Sequence, residues 1–381
     1  MSLRPAILAG ALSLTSACGS ASPSEVRVAE VDATVAVPCP TSGRTAPPAP
    51  YRALDDPTLP ADLVSKARAA LECDWGQYGS DYDCAGYADW SSAVTSIEGG
   101  PAPAILFALL RDPDVRVRWL ALAATGIAFT NADAVQIGAV LSLLETESVP
   151  LIATPLAEIV AGADIEGFGL AKRVETFLAN TPLFEARERF AALMLPRSQT
   201  PLVFRLTVAL AKDHNSSVAS SAMDAIANHG APFGVQACDV LGASLESDNT
   251  LLFGSAAFGV VNLSCESYYD AFVVAFDRES AKSYPSIYRT ADAAERFCKS
   301  SQATADQRAM LAHGAAAILK NARSTGARTQ APKVLAACDP VEGLRMLKAT
   351  ASSDPDGRVR DAAQKQVDAL TPAASQGKKH P

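Results

Sequence analysis

Four histidines stand at His214, His229, His313 and His380, and none has a glutamate beside it. A zinc protease needs His-Glu-x-x-His on one helical face, and di-iron chemistry built on His-Glu pairs needs those pairs, so both lack their ligands. The sequence contains no Gly-x-Ser-x-Gly elbow and no Gly-x-x-x-x-Gly-Lys phosphate cradle. Its only Ser-x-x-Lys, Ser375 to Lys378, lies in a polar tail without partner motifs. Neither catalysis nor a bound cofactor or metal is expected. One stretch could bind a ligand: Trp75, Tyr78, Asp81 and Asp83, followed by Tyr87 and Trp90. Aromatic faces beside carboxylates suit sugar rings or cations, and Asp81 with Asp83 could touch calcium, although the downstream glutamate of a calcium hand is missing. The favoured reading is that these aromatics cover an apolar end while the aspartates keep it soluble.

Cysteine chemistry is the second theme. The N-terminus carries one cation, Arg4, then an uncharged, largely apolar run from Pro5 to Leu14, then small residues ending at Cys18, which is the form of an export signal too short to span a bilayer. Leu14-Thr15-Ser16-Ala17-Cys18 resembles the bacterial lipobox, with the leucine one position early. That resemblance implies cleavage after residue 17, lipidation of Cys18 and attachment to the cell envelope, the outer membrane facing the periplasm being preferred because Gly19 follows. Residues 18–57 are rich in Ser, Ala and Pro and read as a tether. An exported chain meets an oxidising compartment. Cys73 and Cys84 bracket a short loop, and Cys238 and Cys265 fall on one edge of a helix pair. Cys298 pairs with either Cys338 or Cys265, and Cys39 is left over.

The formal charge of −8 becomes −9 when Arg4 is removed (32 cations against 41 carboxylates), so no basic field is present to gather nucleic acid. The composition is 49% hydrophobic but only 6% aromatic, with alanine runs at 121–124 and 315–317, which favours closely packed helices. At 381 residues the chain is too long for one ordinary core.

A repeat resolves that difficulty. Asp112-Pro113-Asp114-Val115-Arg116-Val117-Arg118 returns as Asp354-Pro355-Asp356-Gly357-Arg358-Val359-Arg360, 242 positions later (354 minus 112), and division by seven gives 34.6, near the length of a helical hairpin. Asp213 to Val218 keeps the same five-residue offset, and Ser247 to Leu252 keeps it with weaker chemistry. These residues resemble the HEAT family, in which an Asp-Pro-Asp turn leads into a second helix with Val-Arg and then alanines. The resemblance implies an all-α solenoid of about eight hairpins over 99–371, behind an irregular helical cap at 58–98 and ahead of a polar tail at 372–381. It further implies that Val117 and Val359 face the core and that Arg118 and Arg360 pair with the turn aspartates, Asp112 and Asp354 among them, of the same or the adjacent unit. The arginine gives way to Ala219 and Phe253 in the middle units.

Elementary physics leads to the same architecture. Pro103–Leu110 and Val115–Ile127 carry apolar stripes too broad for isolated surface helices, and their short link forces an antiparallel pair that hides both stripes only by stacking on neighbours. Thr181-Pro182, Thr200-Pro201 and Asp339-Pro340 are expected helix starts. The charge-free run Asn249 to Cys265 reads as a fully enclosed second helix. The expected function is a lipid-anchored scaffold for another protein, not for nucleic acid. The alternative is a small-ligand or sugar-binding protein.

Overall fold

Alanine-rich amphipathic segments broken by Asp, Asn, Ser and Pro dictate short helices with marked starts, and the computed structural model of the chain shows them. It describes residues 54, 60–76, 79–80, 84–97, 103–129, 131–285 and 287–371. All lie in one of the chain's two units, Pro48–Pro381. The signal, the lipidation residue Cys18, the tether, Cys39 and the tail are outside the described residues.

The described chain is all-helical apart from one two-residue antiparallel ladder, Trp75–Gly76 with Gly79–Ser80. The helices run α1 (Ala61–Leu71), α2 (Ala85–Thr95), α3 (Pro103–Leu110), α4 (Val115–Ala128), α5 (Ala134–Leu144) and α6 (Pro150–Ala161). They continue with α7 (Ala171–Asn180), α8 (Phe184–Arg197), α9 (Pro201–Leu210), α10 (Ser216–His229), α11 (Val235–Ala243) and α12 (Thr250–Asn262). The last six are α13 (Tyr269–Ser280), α14 (Tyr288–Lys299), α15 (Ala305–Asn321), α16 (Thr325–Cys338), α17 (Pro340–Ser353) and α18 (Gly357–Leu370).

Packing follows a two-step rule. Each even-numbered helix from α2 to α18 packs on its even-numbered neighbours, and α1, α3, α5, α9, α11, α15 and α17 pack chiefly on an adjacent even helix, whereas α13 packs chiefly on α15. Even helices begin at residues 85, 115, 150, 184, 216, 250, 288, 325 and 357, so their steps run from 30 (85 to 115) to 38 (250 to 288). Between α4 and α18 lie seven steps, the number that the spacing of the two Asp-Pro-Asp turns requires.

Local chemistry explains the boundaries. Thr200 caps α9 through the Val203 N–H with Pro201 in the first turn, and Asp339 caps α17 through the Glu342 N–H ahead of Pro340. Thr181 behaves otherwise: it closes α7, and α8 starts only at Phe184, because the Thr181 hydroxyl accepts from Leu183 N and holds Pro182 in the link. In α12, Phe253, Ser255, Ala256, Ala257 and Val260 are buried as expected, but Thr250 and Leu251 at its start are exposed, since the enclosing neighbours do not reach its first turn. It ends in a Schellman turn, with Cys265 N donating to Val260 O and Ser264 N to Val261 O, at the cost of a positive φ of 57° at Ser264. That bend delivers Cys265 to the start of α11.

Candidate functional site

The repeated turns are the first candidates, and they are stitched by a double bond pattern. The carboxylates of Asp112, Asp213 and Asp354 accept from the N–H two residues on at 2.8, 2.8 and 2.9 Å, with the Ser247 hydroxyl serving the same position. Asp114, Asn215, Asn249 and Asp356 in turn accept from the N–H two residues further on and cap the even helices. Val117, Val218 and Val359, each five residues past the turn residue, are fully buried.

Arg118 and Arg360 bond the backbone of their own turn and not its aspartate carboxylate. Arg118 donates to the backbone carbonyls of Asp112 and Pro113, and its ion pair is with Glu147 at 2.9 Å, a carboxylate of the next turn. Arg360 likewise donates to the carbonyls of Asp354 and Pro355, while Asp354 receives Arg328 from the preceding even helix at 3.2 Å. At the same fourth helix position as Arg118 and Arg360, where α10 and α12 have Ala219 and Phe253, stand Arg187 of α8 and Arg328 of α16. Each donates Nη1 to the carbonyl six residues back and Nε to the carboxylate 26 residues ahead. The Arg187–Asp213 pair is nearly dry, with side chains 6% and 8% exposed. Burial by itself would raise the Asp213 carboxyl; the Arg187 and Asn215 hydrogen bonds and the guanidinium charge outweigh it and hold Asp213 below its usual range.

At the N-terminal end, Trp75 meets Trp119 edge-on at 5.2 Å between ring centres, and Tyr87 lies 4.8 Å from the same ring. Trp90 is buried and donates Nε1 to Leu120 O at 2.8 Å. These rings join Trp75 and α2 to α4. Tyr78, Asp81 and Asp83 lie outside the described residues.

The cysteines come together as three bonded pairs: Cys73–Cys84, Cys238–Cys265 and Cys298–Cys338. The choice left open for Cys298 falls to Cys338, since both residues end neighbouring even helices, with Cα atoms 5.0 Å apart. Of the histidines, His214 and His313 flank Asp213 and Asp277 at 3.4 Å and are exposed, and His229 ends α10. No trio of His, Cys, Asp or Glu among the described residues could hold a metal, and no described helix is long and apolar enough to cross a membrane.

The arrangement best suited to a ligand was not singled out by motif. A recess of about 310 Å³ opens across α10, α12 and α14, lined by Ser220, Asp224, Thr250, Leu251, Gly254, Ser255, Tyr288 and Arg289. Its cause is a missing side chain: the fifth helix position is Ser220 in α10 and Asp292 in α14, but Gly254 in α12. Over that gap Arg289 reaches past α12 to form an ion pair with Asp224 of α10, and its Nη1 also donates to the buried Ser255 hydroxyl at 3.2 Å. Burial pulls the Arg289 pKa down from its ordinary value, a sign that the guanidinium has lost part of its water. Tyr288 rests against Gly326 of α16 and is 60% exposed, and Leu251 is 53% exposed. Charge, hydroxyls and an aromatic face thus meet in one concavity.

No family model and no curated protein matches the chain. A glycine where the neighbouring repeats carry a polar side chain was the one sequence signal for the recess, and it shows only once the repeats are set in register.

Proposed function

We propose that this chain is an exported bacterial lipoprotein, anchored through Cys18, whose body is a HEAT-like α-solenoid of about eight hairpins acting as a binding scaffold for another protein. The observation that carries the reading is the unbroken succession of even helices, each packed on the next at a near-constant step. Such a stack extends one helical face over a long distance without a catalytic centre, and long repeated faces serve partner binding. The same row exposes apolar side chains at helix starts, Phe184, Leu251 and Tyr288 among them. Those are the side-chain types that anchor protein interfaces, with aromatic residues foremost. The N-terminal cysteine context, the proline-rich tether and the disulfide pairs suit an oxidising envelope.

A photo-crosslinking amino acid placed at Phe184 or Leu251 on the even row, and at Val274 on α13 as the opposed control, tests the scaffold in the native envelope. The expected result is one protein adduct shared by positions 184 and 251 and absent at 274. Adducts equal at all three positions, or none at the first two, would overturn it. Labelling with a radioactive fatty acid, abolished by Cys18→Ser, is expected for the anchor.

A further inference from the structure

The recess across α10, α12 and α14 has a chemistry that selects among ligands. Asp224 and Arg289 neutralise one another, so the site presents no net field to an ion. Ser220 and Thr250 add hydroxyls that both donate and accept, and the ion pair adds strong, fixed donors and acceptors beside them, while the buried Ser255 hydroxyl is held by Leu251 O and Arg289. One wall is apolar, formed by the exposed Tyr288 ring and Leu251. A protein anchor would need a dry apolar socket for its hot-spot side chain. Here the floor is Gly254 and Ser255, with charged and hydroxylated sides, so a buried aromatic or aliphatic anchor finds no match. The volume of about 310 Å³ sits at the lower end of small-molecule sites, which span roughly 300–1,000 Å³.

We propose that this recess binds a neutral saccharide unit. The C–H face of the sugar ring lies on Tyr288 and Leu251, and its hydroxyl edge is read by Asp224, Arg289 and the Ser220 and Thr250 hydroxyls. The pair suits this work because it is held before the ligand arrives: Arg289 is already stripped of part of its water and tied to Ser255, so little ordering remains for binding to supply. Gly254 is the residue that keeps the space open. A Cβ there would touch only the Cβ of Arg289, at an ordinary 3.7 Å, so a longer side chain would occupy the recess without displacing backbone. The site does not depend on the scaffold reading, because it requires no protein partner.

The purified, oxidised full chain is titrated calorimetrically with cellobiose, maltose and N,N′-diacetylchitobiose, in the wild type and in Gly254→Met and Tyr288→Ala. The expected outcome is saturable binding of at least one disaccharide, weakened about tenfold or more by Tyr288→Ala and lost in Gly254→Met. Tyr288 is mostly exposed, so its truncation leaves the fold intact, and thermal melting of both variants checks this. The proposal is overturned if none of the three sugars binds the wild type, or if binding persists unchanged in both variants.

Discussion

Arg187 condenses the stabilising logic of the repeats into one side chain. Its planar fork serves its own turn through a carbonyl and the next turn through a carboxylate, so it fastens two units at once. Removing it strands the Asp213 carboxylate at 8% exposure, and breaking such a buried pair costs about 3–5 kcal/mol. Arg187→Met is therefore expected to unfold about 3 kcal/mol more easily at pH 7 in denaturant titrations. The pH dependence follows from the depressed Asp213 carboxyl. Its contribution is fully present above the unfolded carboxyl value, near 3.8, and is lost as the pH falls through the lower folded value. In the variant the Asn215 N–H still favours the charged carboxylate, but the Arg187 bond and charge that offset burial are gone, so Asp213 rises from its wild-type value. The gap between wild type and Arg187→Met should thus narrow as the pH drops from 7 to below 3.8, and a constant gap would show that the bond to Asp213 contributes nothing. The turn aspartates Asp112 and Asp354 were visible in the sequence because a turn chemistry repeats itself. Arg187 and Arg328 were not, because their turns read Thr181-Pro182 and Ala322-Arg323, and only folding puts their guanidinium groups in register with Arg118 and Arg360.

Among the elements, α12 shows how a helix without charge earns its place. Its small residues let α10 and α11 approach closely: a Cβ at Gly259 would lie 2.6 Å from the Leu241 side chain and 2.8 Å from the Cβ of Ala227. The second contact is with an atom fixed to backbone, so the helices would have to part. Overpacking of this kind costs typically 1–3 kcal/mol. Gly259→Val should lower the melting temperature by roughly 2–5 °C, since each kcal/mol is worth about 1.5 °C in a body of roughly 300 residues. A variant that melts with the wild type would show that α10 and α12 are loosely packed. The same helix carries Gly254, whose missing side chain opens the recess on the other side. Two glycines in one helix thus have opposite uses, one for close packing and one for space. Hydropathy alone does not separate them, which is why the charge-free run read as enclosed and its exposed first turn was missed.

In the whole molecule, each even helix leans on the one before and the one after, so cooperativity is set by neighbours and the ends have fewer of them. The last helix answers this with polarity: Val359, Ala363 and Val367 are buried on one side of α18, and Arg358, Asp361, Gln364, Lys365 and Asp368 are exposed on the other. Near the first end the rings of Trp75, Tyr87 and Trp90 lie against Trp119 and Leu120 of α4. Hydrogen exchange followed by mass spectrometry should show amides of α17 and α18 opening well before those of α10, α12 and α14, which have neighbours on both sides. Exchange of all helices at a single common rate would refute a neighbour-by-neighbour stability.

The sequence by itself determined the helical class, the step of the repeat, the starts of α9 and α17, and the cysteine partners apart from one choice. Each of these rests on local or periodic chemistry: a proline after a capping residue, an apolar stripe that recurs, a turn that accepts its own N–H groups. The tertiary structure alone decided Cys298 with Cys338, Arg118 with Glu147, and the meeting of Asp224 with Arg289 across an intervening helix. Those contacts depend on how far one helix is displaced along the next, a quantity that emerges from the packing of whole units and is not encoded by any single segment.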